Sequence, residues 1–395
     1  MNILFLVFDD LTPTLGCYGH PLAKTPHIDR LAKRGVMFTE SYTGCPLCAP
    51  SRASMFSGLR PDTVGVTTLA HKLRGTLPHL ITLPQCLRQR GWHTARAGKV
   101  FHMGVPDTIV VRGDGADDPY AWDDKVNCPG YELNSDGFFH DATPWETNHA
   151  GAGGGLRWIK TEKPDRQQHD HQVATEISRR ITEAGDQPFF LAAGFIRPHV
   201  PFVAPKRFFD LYDPNEIDLP QTPAGATPLA DGSAINFDAK FNVSPEDHRG
   251  AIAAYLACVS FADEQVGRLL DALDASGKAE DTLIVLTADH GYQMGEHGMW
   301  FKNFLYRESA RVPLILCDPR RPDRHGGSCA ALVENVDIYP TLMELLDQQM
   351  PHEPEGNSFV GVMTRENTLV CSMVTPNTPW PGSCTPGCTR AGKQS

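Results

Sequence analysis

No apolar stretch in the chain approaches the roughly 20 residues that a helix needs to cross a bilayer, so no membrane partner is expected. Basic residues are in the minority: 36 Lys and Arg against 47 Asp and Glu leave a formal net charge of −11. A phosphate backbone selects a basic surface, which argues against nucleic acid as a partner. The amino terminus lacks the basic region and small-residue cleavage site of a signal peptide. Its short apolar run, Ile3-Leu-Phe-Leu-Val-Phe8, ends in two aspartates and reads as a buried strand. The chain as given shows no export address and reads as cytoplasmic on that ground alone; the compartment stays open, periplasmic or secreted if a signal was lost. The eleven cysteines, at 17, 45, 48, 86, 128, 258, 317, 329, 371, 384 and 388, are odd in number and irregular in spacing. That argues against a disulfide framework and fits mostly buried thiols.

What is present is ordinary globular composition, 41% apolar and 21% charged, over 395 residues, enough for one large domain with a small appendage. Strand-like apolar runs alternate with helical patterns, the mark of an α/β fold with a largely parallel sheet. Strands are predicted at 3–8, 188–193, 282–287 and 312–317. Helices are predicted at 29–34, 83–90, 173–181, 252–273 and 336–346. Residues 104–165 and 213–245 lack sustained periodicity and read as functional loops or insertions. Past residue 351 the chain is rich in Pro, Gly, Thr and Cys and shows no period.

Two of the strands end in acidic or metal-liganding pairs, Asp9-Asp10 and Asp289-His290. Ligands of open α/β sheets bind beyond the carboxyl ends of the strands. Adjacent carboxylates there repel unless a proton or cation intervenes. One such pair reads equally well as a turn cap; two after interior strands favour a divalent metal. The oxygen-rich set suits calcium or magnesium, although imidazole is an uncommon ligand for either.

The second feature is Cys45-Pro-Leu-Cys48-Ala-Pro-Ser-Arg52, with Ser57-Gly58 downstream. The C-x-x-C spacing suggests zinc or a thiol pair, but no second ligand pair for zinc is evident. Pro50 suits the first helical position and would put Cys48 just before the helix, where free amides and Arg52 favour an anion.

The string Cys48-x-Pro50-Ser51-Arg52 resembles the signature of the type I sulfatases, whose cysteine is oxidised to formylglycine. Asp9-Asp10, Thr25-Pro-His-Ile-Asp-Arg-Leu-Ala-Lys-Arg-Gly35 and Asp289-His290-Gly291 reinforce the likeness. Gly98-Lys99-Val-Phe-His102, Arg197-Pro-His199-Val-Pro201 and Gly295-Glu-His-Gly298 with Lys302 resemble the iduronate-2-sulfatase branch. The resemblance covers residues 1–350 and implies an alkaline-phosphatase-like fold, a large mostly parallel sheet between helices. It also implies a sulfated-carbohydrate substrate and a formylglycine-generating maturation enzyme as partner. Asp9, Asp10, Asp289, His290 and the modified Cys48 would hold one Ca2+. Arg52, Lys99 and Lys302 would bind the sulfate and the aldehyde hydrate. His102 would assist breakdown of the covalent intermediate, and His199 would stand near the leaving oxygen. Taken alone, Lys99 and Lys302 read as surface lysines, and His102 and His199 as core or helix-end histidines. Glu296 and His297 are candidates to stand behind the residues that line the site, and Cys17 and Cys45 are taken as structural thiols near it.

Two departures stand out. Thr12 occupies a position where that branch commonly has arginine after the acidic pair. Residues 351–395 also do not resemble the family's small antiparallel C-terminal subdomain, and truncation or a frame error near residue 360 is expected. Two rival functions follow: a phosphonate monoester or phosphodiester hydrolase using the same cysteine, and a non-catalytic metal- and glycan-binding relative.

Overall fold

Every residue after the first of β1 (Asn2–Asp9) is buried, and this is why its sequence is a continuous apolar run rather than an alternation. A computed structural model describes residues 1–130, 137–142, 155–220 and 243–363. After β1 come α1 (Pro26–Ala32), β2 (Val36–Tyr42), α2 (Cys48–Ser57), α3 (Leu83–Gln89), β3 (His93–Gly98) and β4 (Asp124–Val126). Next are β5 (Gly137–Asp141), β6 (Arg157–Thr161), α4 (His169–Glu183), β7 (Phe189–Pro198), β8 (Phe202–Pro205) and α5 (Pro245–Ala275). The last are β9 (Thr282–Ala288), β10 (Gln293–Met294), β11 (Trp300–Phe301), β12 (Leu314–Cys317), β13 (Gly327–Glu334) and α6 (Ile338–Leu345).

Eight strands form the main sheet in the order β13-β2-β12-β9-β1-β7-β3-β4. Neighbours are parallel except at β12, which runs against β9 and β2. Leu4, Leu6 and Phe8 pack on the face covered by α1, α4 and α5. Ile3, Phe5 and Val7 pack on the face covered by α2, α3 and α6. The alternation of the strand thus feeds two cores, and the sheet lies between helical layers. No helix among the described residues is long and apolar enough to cross a membrane.

The longest helix, α5, starts where Ser244 accepts a hydrogen bond from the Asp247 amide at 3.0 Å and Pro245 takes the first position. Its Asp263 caps α1, accepting the amides of His27 at 3.2 Å and Ile28 at 2.7 Å. Burial pushes this carboxyl up to about 7, against those amide bonds. From about pH 4 to 7 the folded state then keeps a proton that the unfolded chain releases, so this group's contribution falls as pH rises through that window. Asp263→Asn is expected to narrow the difference in unfolding free energy between pH 5 and pH 8; an unchanged difference would refute the assignment.

Two regions differ from the sequence reading. Between 104 and 165, β4 joins the edge of the main sheet beside β3, and β5-β6-β8 form a small second sheet. Strands of three to five residues are too short to display a period. Packed structure also runs past residue 351. The Asn357 amide donates to Asp337 at 2.7 Å, the Phe359 ring meets Phe38 edge-on at 4.8 Å, and 360–363 form a helical turn. Most of the 213–245 excursion, at 221–242, and most of the tail, at 364–395, lie outside the described residues.

Candidate active site

Parallel strands deliver their last residues to one edge. Phe8 of β1 pairs with Ala288 of β9, so Asp9 and Asp289 emerge side by side. On the other flank Gly194 of β7 pairs with both Val7 and Gly98, which brings Lys99 and, further along β7, His199 to the same edge. The strands meet so closely there that a Cβ on Gly98 would lie 2.2 Å from the Gly194 carbonyl oxygen. One on Gly194 would lie 2.2 Å from the Lys99 carbonyl carbon. Only glycine fits at either position.

Cys48 sits in the first turn of α2. The Leu47 carbonyl accepts the Ser51 amide at 3.0 Å, so the helix starts two residues earlier than the proline suggested. Pro50 at the third position costs nothing, because the amides of a first turn have no helical partner. Around the Cys48 Sγ stand His290 Nε2 at 3.2 Å, Asp9 Oδ1 at 3.4 Å and Lys302 Nζ at 3.5 Å. Lys302 Nζ also donates to Asp10 Oδ1 at 2.7 Å, and Lys99 Nζ donates to Asp9 Oδ2. His290 Nδ1 lies 3.1 Å from Asp10 Oδ1.

Burial and Asp9 push the Cys48 thiol up, but Lys302, Lys99 and His290 outweigh them and it falls to about 6. The thiolate is therefore the favoured form at neutral pH. Burial raises Asp10 to about 7 and Asp289 to about 6, against Lys302 and Arg52 respectively. Asp9 is also buried, yet Lys99, His199 and Arg52 hold it well below the ordinary range. Burial opposes the charge on His290, but Asp289 and Cys48 carry it up to about 9. Burial, then Lys99, takes His102 down to about 3, and burial, then Lys302, takes His199 well below its usual value.

A divalent cation fits this cluster. Donor atoms of Asp9, Cys48, Asp289 and His290 all lie within 4.8 Å of one another, as do those of Asp9, Asp10 and His199. Asp10 Oδ2 is buried without a hydrogen-bond partner, and its backbone holds a φ of 65°. That left-handed conformation is one that aspartate tolerates better than most residues.

The predicted metal-binding and catalytic residues converge, with differences in what they touch, whereas His297 and Cys17 find their partners outside the cluster. Arg52 is fully buried, and its guanidinium faces inward. Nε donates to Asp289 at 2.7 Å, Nη1 to the carbonyls of Lys99 and Val100, and Nη2 to the Phe8 carbonyl at 3.3 Å. Contact with a substrate anion would require it to give up one of these. His102 Nδ1 is buried and unpartnered, within electrostatic reach of Lys99 and Asp9. Glu296 accepts the Met294 amide, while His297 bonds Glu308 at 3.2 Å and stacks on Tyr306. Cys17 is held at Asp29. Burial raises the Cys17 and Cys45 thiols to about 12 and 11, and both are free.

Three supports escaped the sequence reading. Ser51 donates to the Asp289 carbonyl at 2.5 Å, Asn335 donates to the Ala288 carbonyl at 2.9 Å, and the Tyr255 hydroxyl donates to the Asp10 carbonyl at 2.8 Å. Tyr255 was visible only as an apolar position of a helix, and Asn335 has no local signal. A cavity of about 290 Å³ opens beyond Tyr255, lined by Thr12, Tyr292, Glu296 and Arg307 among others, but none of the clustered residues reaches its wall.

A family model described as Sulfatase matches residues 1–348. A sulfatase of Formosa agariphila is 35% identical, over 93% of this chain and 73% of that protein. Human iduronate 2-sulfatase is 33% identical, over 93% of this chain and 72% of its own. The solved phosphonate monoester hydrolase of Agrobacterium radiobacter shares the fold with a TM-score of 0.73 at 22% identity, over 92% of this chain and 77% of its own. With a family model spanning most of its length and relatives above 30% identity, the chain belongs to the sulfatase family.

Proposed function

We propose that the protein hydrolyses a sulfate ester on a sulfated sugar, within a catalytic unit formed by residues 1–350. Its nucleophile derives from Cys48 by oxidation to formylglycine, which requires a maturation enzyme as partner. Asp9, Asp10, Asp289, His290 and the modified Cys48 would hold a divalent cation, calcium in this reading. Once formed, the aldehyde hydrate would supply a hydroxyl nucleophile and a second hydroxyl for release of the sulfate, and a bound cation would supply charge neutralisation.

The chain's own groups do the rest. Lys302 and Lys99, held by Asp10 and Asp9, orient the anion. Arg52 locks Asp289 and the carbonyls beneath, so that the acidic floor does not shift under charge. His199 keeps Nδ1 on the Val200 carbonyl, which leaves Nε2, 3.7 Å from Asp10 Oδ2, to carry a proton to the leaving oxygen. A bound anionic ester beside it raises its proton affinity, and a sugar alkoxide leaves poorly without that proton. His102, with its unpartnered Nδ1, is the base assigned to the regenerating step.

The observation that carries the reading is the ring of Asp9, His290 and Lys302 within 3.5 Å of the Cys48 Sγ. The similarity to human iduronate 2-sulfatase supports a sugar substrate. Rates on paired aryl sulfate and aryl phosphonate substrates test it: a sulfate preference is expected, and a clear phosphonate preference would replace it with the phosphonate-hydrolase alternative. Binding of a sulfated glycan without sulfate release by matured protein would leave only a binding function.

A further inference from the structure

Two buried charged residues with no part in the chemistry above grip the segment that carries His199. Asp170, at the second position of α4, spends both oxygens on main chain. Oδ1 accepts the Ile196 amide and Oδ2 the Arg197 amide, each at 3.0 Å. His169 Nδ1 stands 2.7 Å from the same Oδ1. On the other side of the turn, Arg197 Nη1 donates to the carbonyls of His199 and Pro201, each at 3.0 Å. The His199 amide closes the turn on the Ile196 carbonyl at 2.8 Å. The amides before His199 and the carbonyls after it are thus held by two side chains that are themselves 1% and 2% exposed.

Burying a carboxylate and a guanidinium is expensive, and a well-packed apolar pair is often as stable or more so. What the charged pair adds is direction, since each hydrogen bond fixes the peptide plane it meets. The same helix end also braces the neighbouring strand: the His169 ring lies over Gly98, where a Cβ would come within 3.0 Å of its Cε1. Lys99 follows directly.

We propose that Asp170 and Arg197 are positioning residues that set His199 Nε2 against the ester oxygen and thereby govern proton delivery to the leaving group. The inference rests on the assignment of His199 as the proton carrier. A residue that only stabilises the fold lowers turnover of every substrate alike. One that aims a proton donor matters most where the leaving group needs the proton.

The test compares the matured wild type, His199→Ala, Asp170→Asn and Arg197→Lys on a sugar sulfate and on 4-nitrophenyl sulfate, whose phenolate leaves unassisted. His199→Ala is expected to lose about 100-fold or more in kcat on the sugar sulfate and far less on the aryl ester. Asp170→Asn turns an amide donor towards a main-chain donor, and Arg197→Lys, one bond shorter, holds its ammonium short of the place from which Nη1 meets both carbonyls. Each is expected to lose about 10-fold or more in kcat on the sugar sulfate and under about 3-fold on the aryl ester, with KM unchanged, since misaiming the donor removes only part of that general-acid contribution. Parallel losses on both substrates, or none, in these two variants while His199→Ala discriminates would overturn the proposal alone. Equal losses in His199→Ala would remove the role of His199 and the proposal with it. Arg197→Lys, which keeps the buried charge, decides the matter if Asp170→Asn does not fold.

Discussion

Cys48→Ala is expected to lose at least about 10⁴-fold in kcat on sulfate esters while keeping its fold, because nothing else in the cluster can attack sulfur. Among the side chains around Sγ, Lys302 and His290 are cationic and Asp9 is held by Lys99. Sγ makes contacts to charged neighbours but fills no apolar core, so the stability cost of its removal is small beside the loss of turnover. Cys48→Ser separates two ideas. A hydroxyl retains the local geometry but presents no diol, so a serine variant as inactive as alanine supports the aldehyde chemistry. A serine variant with near wild-type turnover would contradict it. Cys45→Ala serves as the control, since that thiol is protonated and outside the ring around Sγ; it is expected to retain activity within about 3-fold, as for substitutions away from named interactions.

The second large effect concerns the cation. Asp10→Asn and chelation of the wild type are each expected to reduce kcat by about 10²–10³-fold, the range seen when one preorganised charge-stabilising element is removed. Calcium should raise the melting temperature of the wild type by mass action and leave that of Asp10→Asn unmoved. The thermal readout is independent of turnover, so it tests the site even in protein whose Cys48 is unmodified. Equal calcium-induced shifts in both proteins would place the cation elsewhere. Asp10 is chosen over Asp289 because its partner Lys302 keeps some contact with solvent, whereas Asp289 pairs with the fully buried Arg52. Loss of Asp289 would leave that guanidinium only Asp9, 3.6 Å away, and confuse metal binding with folding.

The chemistry was legible in the sequence where it is local. Asp9-Asp10 and Asp289-His290 each close an apolar run, and buried parallel strands announce themselves as such runs. Strands β2 and β13 escaped because their burial is mixed and partly polar, and β3 because it carries Arg96. That arginine is buried against Asp117 and Asn127, so a charge sits in the middle of a core strand and erases its apolar signature. The extent of α2 escaped because every one of its residues is buried, which leaves no polar face to set a period. The role of Arg52 depends on partners far away in sequence, Asp289 and the carbonyls of Lys99 and Val100, and no local pattern encodes them. The grip of Asp170 on the His199 segment is invisible for the same reason.

The measurement that bears most directly on the central claim is the mass of the tryptic peptide 35–52 from protein made with a formylglycine-generating system. The account predicts an aldehyde at Cys48 with Cys45 unchanged. An intact thiol at Cys48 under those conditions would contradict it.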